Sequence, residues 1–128
     1  MKVLLDTHTF LWWITDSPLI SSKVRDIVQN ADNEVFLSAA SGWEIAIKVQ
    51  LGRIHLPDKP SIYLAKQMSL NAFQPLTITM SHSLYICNLP DIHKDPFDRI
   101  IIAQAILEGM PLLTKDSNMP KYGIQIIW

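Results

Sequence analysis

The sequence predicts an α/β fold in which helices cover both faces of a parallel sheet. Short apolar runs of strand length alternate along the chain with longer segments of helical periodicity, and this order is typical of a parallel sheet with crossover helices. The chain has 128 residues, of which 48% are apolar, and this size is typical of one domain with a substantial core. We therefore expect residues 1–128 to form a single domain.

Five apolar runs are expected to form the strands of this sheet. Each has the length of a strand, and most of them are rich in the aliphatic residues of buried parallel strands. In chain order they are KVLLD (2–6), EVFLS (34–38), FQPLTI (73–78), MPLLTKD (110–116) and GIQIIW (123–128).

Six segments between these runs are expected to be helices. The first follows the first strand directly, and Ser21 or Ser22 can cap the second. In the third, Ser41 and Glu44 match a capping box and Gly52 is the expected stop. The segments are THTFLWWITD (7–16), a run from about 22 to 30, ASGWEIAIKVQLGR (40–53), SIYLAKQMSLNA (61–72), SHSLYICNL (81–89) and the run that begins with PFDRIIIAQAILEG (96–109).

The start of the last helix raises a question about function. Asp95 reads as its N-cap and Pro96 as its first residue. Asp98 then lies at the third helical position of an otherwise strongly apolar run, so its charge needs a separate explanation.

Charge and cysteine content exclude several classes of protein. Eleven Lys and Arg against twelve Asp and Glu leave a formal charge of -1, so attraction to RNA or DNA would be local or carried by metal ions. Cys87 is the single cysteine, which excludes an internal disulfide and a cysteine-based zinc site. We expect it to be a small core residue in a reducing compartment.

The sequence predicts a cytoplasmic protein without a membrane segment. Asp6 interrupts the apolar start MKVLL before the core of a signal peptide can form. The apolar run 100–107 is much shorter than the roughly 20 residues that a membrane-spanning helix needs.

Four acidic residues are expected to meet at one edge of the sheet. Asp6 ends the first strand and Asp116 follows the fourth. Glu44 and Asp98 are expected in the first turns of helices that start at the same edge. Ligands of open parallel sheets bind beyond this carboxyl edge of the strands.

Each acid also has a purely structural explanation. Asp6 can cap the first helix, and Glu44 can complete the capping box. Asp98 is favourable near a helix N-terminus, and Asp116 fits a turn. Four independent caps have no reason to share one edge, whereas Mg²⁺ or Mn²⁺ needs carboxylate oxygens from several elements. Because clustered carboxylates repel one another, their convergence favours a cation site.

Four segments also match a known family in order and spacing over the whole chain. They are LLDTHTFLWW, LSAASGWEIAIK, DPFDRIIIAQA and LLTKD. In combination they resemble the PIN-domain ribonucleases, and in particular the VapC-like toxins of bacterial toxin–antitoxin modules. The resemblance implies a three-layer α/β/α PIN-like fold whose five-stranded parallel sheet has the order 3-2-1-4-5.

The same resemblance implies an activity and its residues. It implies a Mg²⁺- or Mn²⁺-dependent endoribonuclease that uses water as the attacking group and leaves 5′-phosphate and 3′-hydroxyl ends. The family's acidic positions, catalytic and metal-binding, carry over to Asp6, Glu44, Asp98 and Asp116. Asp6, Asp98 and Asp116 are the first choice as ligands, directly or through water. Glu44 would ligate a second ion or orient the attacking water.

Basic residues beside the acids are candidates for contact with the RNA substrate. His93 and Arg99 flank the start of the last helix, and Lys115 adjoins Asp116, so all three could hold phosphates. Arg99 could equally pair with an acid of the cluster. His93 and His8 are expected to make structural hydrogen bonds, because hard ions prefer oxygen ligands.

The resemblance also implies partners. An antitoxin encoded as a separate chain is expected, and its tail would occupy the acidic groove. Trp12 and Trp13 are adjacent and would point about 100° apart on a helix. We therefore expect that they do not share one core, and that one of them meets a second copy in a homodimer or the antitoxin.

Two other functions stay open at the level of the residues. One is a catalytically inactive PIN-like module that binds RNA or a protein. The other is a phosphohydrolase of the haloacid dehalogenase type, which also begins with a strand ending in Asp. That type expects a second Asp two residues later, where this chain has His8.

Overall fold

The sheet of the computed structural model, which describes residues 1–128, has five parallel strands in the order β3-β2-β1-β4-β5. The predicted fold class and strand order are confirmed. The last two strands are much shorter than their apolar runs. The strands are β1 (Lys2–Leu5), β2 (Glu34–Ser38), β3 (Gln74–Leu76), β4 (Leu112–Leu113) and β5 (Ile126–Ile127).

Six α-helices surround the sheet. Two short 3₁₀ helices, Ile86–Asn88 and Met119–Tyr122, were not predicted as separate elements. None of the helices combines the length and apolarity needed to cross a lipid bilayer. The α-helices are α1 (Thr7–Ile14), α2 (Ser22–Gln29), α3 (Ala39–Gln50), α4 (Pro60–Leu70), α5 (Met80–Tyr85) and α6 (Pro96–Glu108).

The central strand β1 contributes to both apolar cores. Val3 and Leu5 belong to the core that contains Phe10 of α1, whereas Leu4 belongs to the core that contains Ile102 of α6. Because successive strand residues point to opposite faces, this alternation separates the two helical layers. The carboxyl end of β1 is thus fixed between both layers, and it is where Asp6 lies.

Helix α3 begins earlier than predicted. Ser38 is its N-cap, and the Ser38 side-chain oxygen accepts a hydrogen bond from the Ala40 N–H at 3.0 Å. The predicted capping box is therefore wrong, and the Ser41 and Thr7 hydroxyls instead pair at 2.9 Å. Glu44 consequently lies in the second turn of α3, not the first.

Three side chains lie elsewhere than predicted. Trp12 and Trp13 both pack against the core that contains Phe10, so the expectation that they do not share a core is wrong. Trp12 meets Trp128 edge-on, with ring centroids 5.7 Å apart. Cys87 is exposed and is not the core residue that its apolar neighbours suggested.

Candidate active site

A cavity of about 330 Å³ opens at the carboxyl edge of β1 and β4, where the start of α6 meets the sheet. Three of the four predicted acids line it. This is the edge at which open parallel sheets bind their ligands. The lining residues are Asp6, His8, Trp12, Asp98, Lys115, Asp116 and Met119.

Asp6 is fixed by two elements at once. Its Oδ1 accepts the Thr9 N–H at 2.7 Å and so caps α1, as predicted. Its Oδ2 accepts a short hydrogen bond from the Thr114 hydroxyl, which lies just beyond β4. Because both oxygens are held, the carboxylate has a single orientation at the floor of the cavity.

Asp98 lies at the third position of α6, as predicted, with Asp95 as the N-cap. Its own carboxylate accepts no hydrogen bond from the chain. Burial raises the pKa of Asp98 to about 6, and the charges of Asp95, Glu44 and Asp6 add to this rise, while His93 opposes it. The negative charge here is therefore poorly compensated, which favours a cation.

Asp116 is held in the opposite way. Its Oδ2 lies 2.7 Å from His93 Nε2, and its Oδ1 accepts the Asn118 N–H at 2.9 Å. Burial acts to raise the pKa of Asp116, but these hydrogen bonds and the nearby charges of His93 and His8 bring it below its usual value. The carboxylate is therefore favoured as an anion.

Glu44 lies behind this site and not on the cavity wall. Its carboxylate is buried and pairs with Lys48 Nζ at 2.7 Å, one helical turn further along α3. It remains close enough for its charge to raise the pKa of Asp98. The predicted ligand or water-orienting role of Glu44 thus stays a prediction, with Lys48 already compensating one of its oxygens.

Arg99 was expected either to hold phosphate or to pair with an acid of the cluster, and it makes no such ion pair. Its guanidinium donates to the backbone carbonyls of Ile86, Pro90 and His93 at 2.9, 3.0 and 3.2 Å. These bonds hold the segment before α6 in place. Contact of Arg99 with substrate stays a prediction, although its donors are engaged within the chain.

The other two predicted substrate residues differ in accessibility. Lys115 is exposed on the cavity wall, where a cation can reach a phosphate. His93 is turned inward, between Tyr122 and Asp116, and makes the structural hydrogen bonds that were expected of it.

Two residues of the site were not predicted from the sequence. Thr114 and Tyr122 act only through hydrogen bonds to Asp6 and His93, which are far away along the chain. A threonine that directly follows the strand beside β1 could have indicated the first contact. Tyr122 belongs to the unpredicted 3₁₀ helix, so nothing placed it near the acids.

The donor set fits a hard divalent cation. Asp6, Asp98 and Asp116 offer carboxylate oxygens from three elements at one cavity, and Mg²⁺ and Mn²⁺ prefer such oxygens. No three His, Cys, Asp or Glu side chains stand close enough together to hold a metal without movement. An ion would therefore be held partly through water or after a turn of a side chain, and the Asp98 carboxylate, which accepts no hydrogen bond, is the least constrained of the three.

Comparisons with known proteins agree with this geometry. The PIN domain family matches residues 3–125. The chain is 32% identical over 118 residues to ribonuclease VapC22 of Mycobacterium tuberculosis, covering 91% of this chain and 88% of that protein. It is 36% identical over 64 residues to ribonuclease VapC16 of the same organism, covering 50% of this chain and 45% of that protein.

A solved structure shares the fold. It is the VapBC2 complex of Rickettsia felis bound to a DNA fragment from its promoter, and one of its chains superposes with a TM-score of 0.71 at 16% identity. The match covers 100% of this chain and 98% of that chain. At this identity, the likeness supports the arrangement of the sheet and helices.

Proposed function

Since this chain belongs to the PIN domain family, we propose that it is a metal-dependent endoribonuclease and the toxin of a toxin–antitoxin module. The observation that carries the proposal is the meeting of Asp6, Asp98 and Asp116 at one cavity on the carboxyl edge of the sheet. The likeness to ribonuclease VapC22 supports RNA as the substrate. Family membership also removes the reason to consider a haloacid dehalogenase.

The three carboxylates would hold Mg²⁺ or Mn²⁺ directly or through water. When bound, such an ion supplies positive charge to the phosphoryl oxygens and lowers the pKa of the attacking water. Asp6 and Asp116 contribute oriented oxygens, because each is already held by hydrogen bonds. Asp98 contributes the charge that is least compensated in the free protein.

The remaining polar groups would act around these three. Lys115 is placed to meet a phosphate at the cavity wall. Glu44 adds negative charge behind Asp98, and its Lys48 partner limits how strongly it can bind an ion directly. Glu44 would therefore act through the orientation of water or the field at Asp98.

A protein partner is also part of the proposal. Trp43, Met80 and Leu84 are large apolar residues with exposed fractions of 62%, 74% and 65%, and apolar surface of this kind marks protein interfaces. Trp43 packs edge-on against Phe97, which precedes Asp98. A separate antitoxin chain, or a second copy in a homodimer, would cover this surface in the cytoplasm.

The activity is tested with end-labelled RNA and purified protein in Mg²⁺ or Mn²⁺. We expect internal cleavage products that EDTA abolishes and that the Asp98→Asn variant fails to make. RNA that shifts in a gel without being shortened, with or without added ions, would instead indicate the catalytically inactive binding module.

The toxin role is tested by induction in a bacterial host. We expect wild type to arrest growth, and the polypeptide of the neighbouring reading frame to relieve the arrest when it is produced together with the chain. The Asp98→Asn variant is the control for general toxicity of overproduction. Harmless expression of the active wild type alone would count against the toxin role.

A further inference from the structure

We propose that His93 and Tyr122 form a hydrogen-bond relay that fixes the Asp116 carboxylate, with His93 Nε2–H as the donor to Asp116. His93 is thus a positioning residue rather than a substrate contact. This inference deepens the proposed function and rests on it, because the relay matters only if Asp116 serves the active site.

Tyr122 holds His93 through two hydrogen bonds to one hydroxyl group. Its hydroxyl oxygen lies 2.8 Å from the His93 backbone N–H and 2.7 Å from His93 Nδ1. The backbone N–H can only donate, so the hydroxyl oxygen accepts that bond. The hydroxyl can in addition donate to an unprotonated Nδ1 or accept from a protonated one, so it holds the imidazole in either case.

The other ring nitrogen, Nε2, is placed to donate to Asp116. His93 Nε2 lies 2.7 Å from Asp116 Oδ2, and a carboxylate accepts from an N–H. Each group in the chain from Tyr122 through His93 to Asp116 therefore has one donor matched with one acceptor. A neutral ring with its single proton on Nδ1 would leave Asp116 without this donor.

Other contacts hold His93 in place within the relay. Arg99 donates to the carbonyls of His93 and Pro90, which fixes the backbone from which the imidazole projects. The His93 and Tyr122 rings also pack with centroids 5.4 Å apart. The His93 side chain is only 12% exposed, so water competes weakly for its hydrogen bonds.

Asp116 needs such support because of where it lies. It follows a strand of two residues, β4, and its other side-chain hydrogen bond comes from Asn118, two positions away in the same turn. The bond from His93 comes from a residue 23 positions away in the chain. It therefore ties the turn to the start of α6, and hence Asp116 to Asp98.

The first test measures the tautomer directly. Long-range ¹H–¹⁵N correlation spectra at pH 7.5 should show His93 protonated on Nε2 in wild type, with the resonance assigned by its loss in His93→Gln. Tyr122→Phe keeps the ring and removes the hydroxyl, so we expect the spectrum to move toward a mixture of tautomers. Tyr85→Phe is the matched control. A His93 ring without a proton on Nε2 in wild type would overturn the relay.

The second test measures Mn²⁺ affinity by calorimetry without RNA. Loss of a residue that orients a ligand typically weakens metal binding by about 10 to 100-fold, and we expect this for His93→Ala. His93→Gln places an amide N–H near the Nε2 position and should recover most of the affinity. Tyr122→Phe should fall between them, and His55→Ala, an exposed histidine outside the site, should match wild type.

The outcomes separate the relay from the proposed function. A folded His93→Ala protein with wild-type Mn²⁺ affinity would overturn the positioning role even if RNA cleavage were confirmed. Equal losses in His93→Ala and His93→Gln would also contradict it, because the restored donor would then be irrelevant. A wild type that neither binds Mn²⁺ nor cleaves RNA would refute the proposed function, and with it the purpose of the relay.

Discussion

The two sides of the acidic cavity are compensated very differently. On one side, Asp116 is held by His93 and by the Asn118 N–H, and its pKa lies below the usual value. On the other side, Asp98 has a pKa raised to about 6 by burial and by neighbouring acids. The same residue type at the same cavity thus has opposite shifts, because hydrogen bonds dominate at one position and desolvation and repulsion at the other.

This difference separates two tasks within one site. Asp6 and Asp116 are oriented before any ion arrives, because the chain itself supplies their hydrogen-bond partners. Asp98 keeps a charge that the chain compensates only weakly, through His93, so a bound cation would stabilise it most. An ordered half and an uncompensated half together give a site that has a defined shape and also favours ion binding.

The largest expected effect is on RNA cleavage, and it should be similar for variants of Asp98 and of Asp116. Asp98→Asn and Asp116→Asn should each lower turnover by about 100-fold or more, since loss of a residue that merely orients a ligand already costs about 10 to 100-fold. Asp95→Asn is the matched control, because it removes a charge three residues from Asp98 and keeps a good N-cap. Turnover is measured with one RNA under saturating Mn²⁺, and near-wild-type cleavage by either folded variant would remove that residue from the site.

The second effect is stabilisation by the ion. At a free Mn²⁺ concentration of about 100 times the Kd, binding should add about 2.7 kcal/mol to the free energy of unfolding, or about 8–10 °C in Tm for a domain of this size. The gain should shrink at pH 5, below the Asp98 pKa of about 6, because the ion must then displace a proton. Calorimetric melts at pH 5 and 7.5 test this, and a gain independent of pH would contradict the uncompensated state of Asp98.

The third effect concerns the partner of Glu44. Removing one member of a fully buried ion pair costs about 3–5 kcal/mol, but Lys48 is 32% exposed while Glu44 is 6% exposed, so we expect about 1–2 kcal/mol for Lys48→Met. The double variant Lys48→Met/Glu44→Gln should recover part of this loss, since no unpaired carboxylate remains. Urea unfolding of wild type, both single variants and the double variant gives the coupling free energy between the two side chains. Additive losses would show that Lys48 does not compensate Glu44.

The smallest expected effect is on the free energy of unfolding without ions, and it should have opposite signs at Asp98 and Asp116. Between pH 3.8 and about 6 the folded state binds more protons at Asp98 than the unfolded state, so stability falls as pH rises through this range. Asp98→Asn should therefore raise Tm by a few degrees at pH 7.5 and give no gain near pH 4.

Asp116→Asn should act in the opposite direction. Its lowered pKa contributes stability that is present above the unfolded value of 3.8 and is lost as pH falls through the folded value. We expect a loss of about 1 kcal/mol at pH 7.5, reduced by its partial exposure. Melting curves of both Asn variants in EDTA form the test, and shifts of equal sign would remove the contrast between the two sides.

The sequence predicted the parts of the site that depend on strand and helix order. Asp6 and Asp98 could be placed because one follows an apolar strand and the other follows the Asp-Pro start of a helix. Both signals are local, and the parallel topology then brings the residues to one edge. The fold class was predicted on the same basis, and the strand order by the family resemblance.

The incorrect predictions concern contacts between distant residues and competition between local signals. The capping-box pattern favoured Ser41 as the start of α3, whereas the helix begins at Ala39 with Ser38 as its N-cap and Ser41 lies within its first turn. Arg99 follows an acid in sequence, but backbone carbonyls from 86–93 surround its guanidinium. Neither the packing of a loop nor a hydrogen bond across 29 positions leaves a local pattern, so Tyr122 could not be found.

The hydrogen bond from Thr114 to Asp6 joins residues 108 positions apart. A nascent chain of only the first hundred residues therefore lacks both this bond and Asp116. The acids cannot converge before translation of β4 and the turn beyond it.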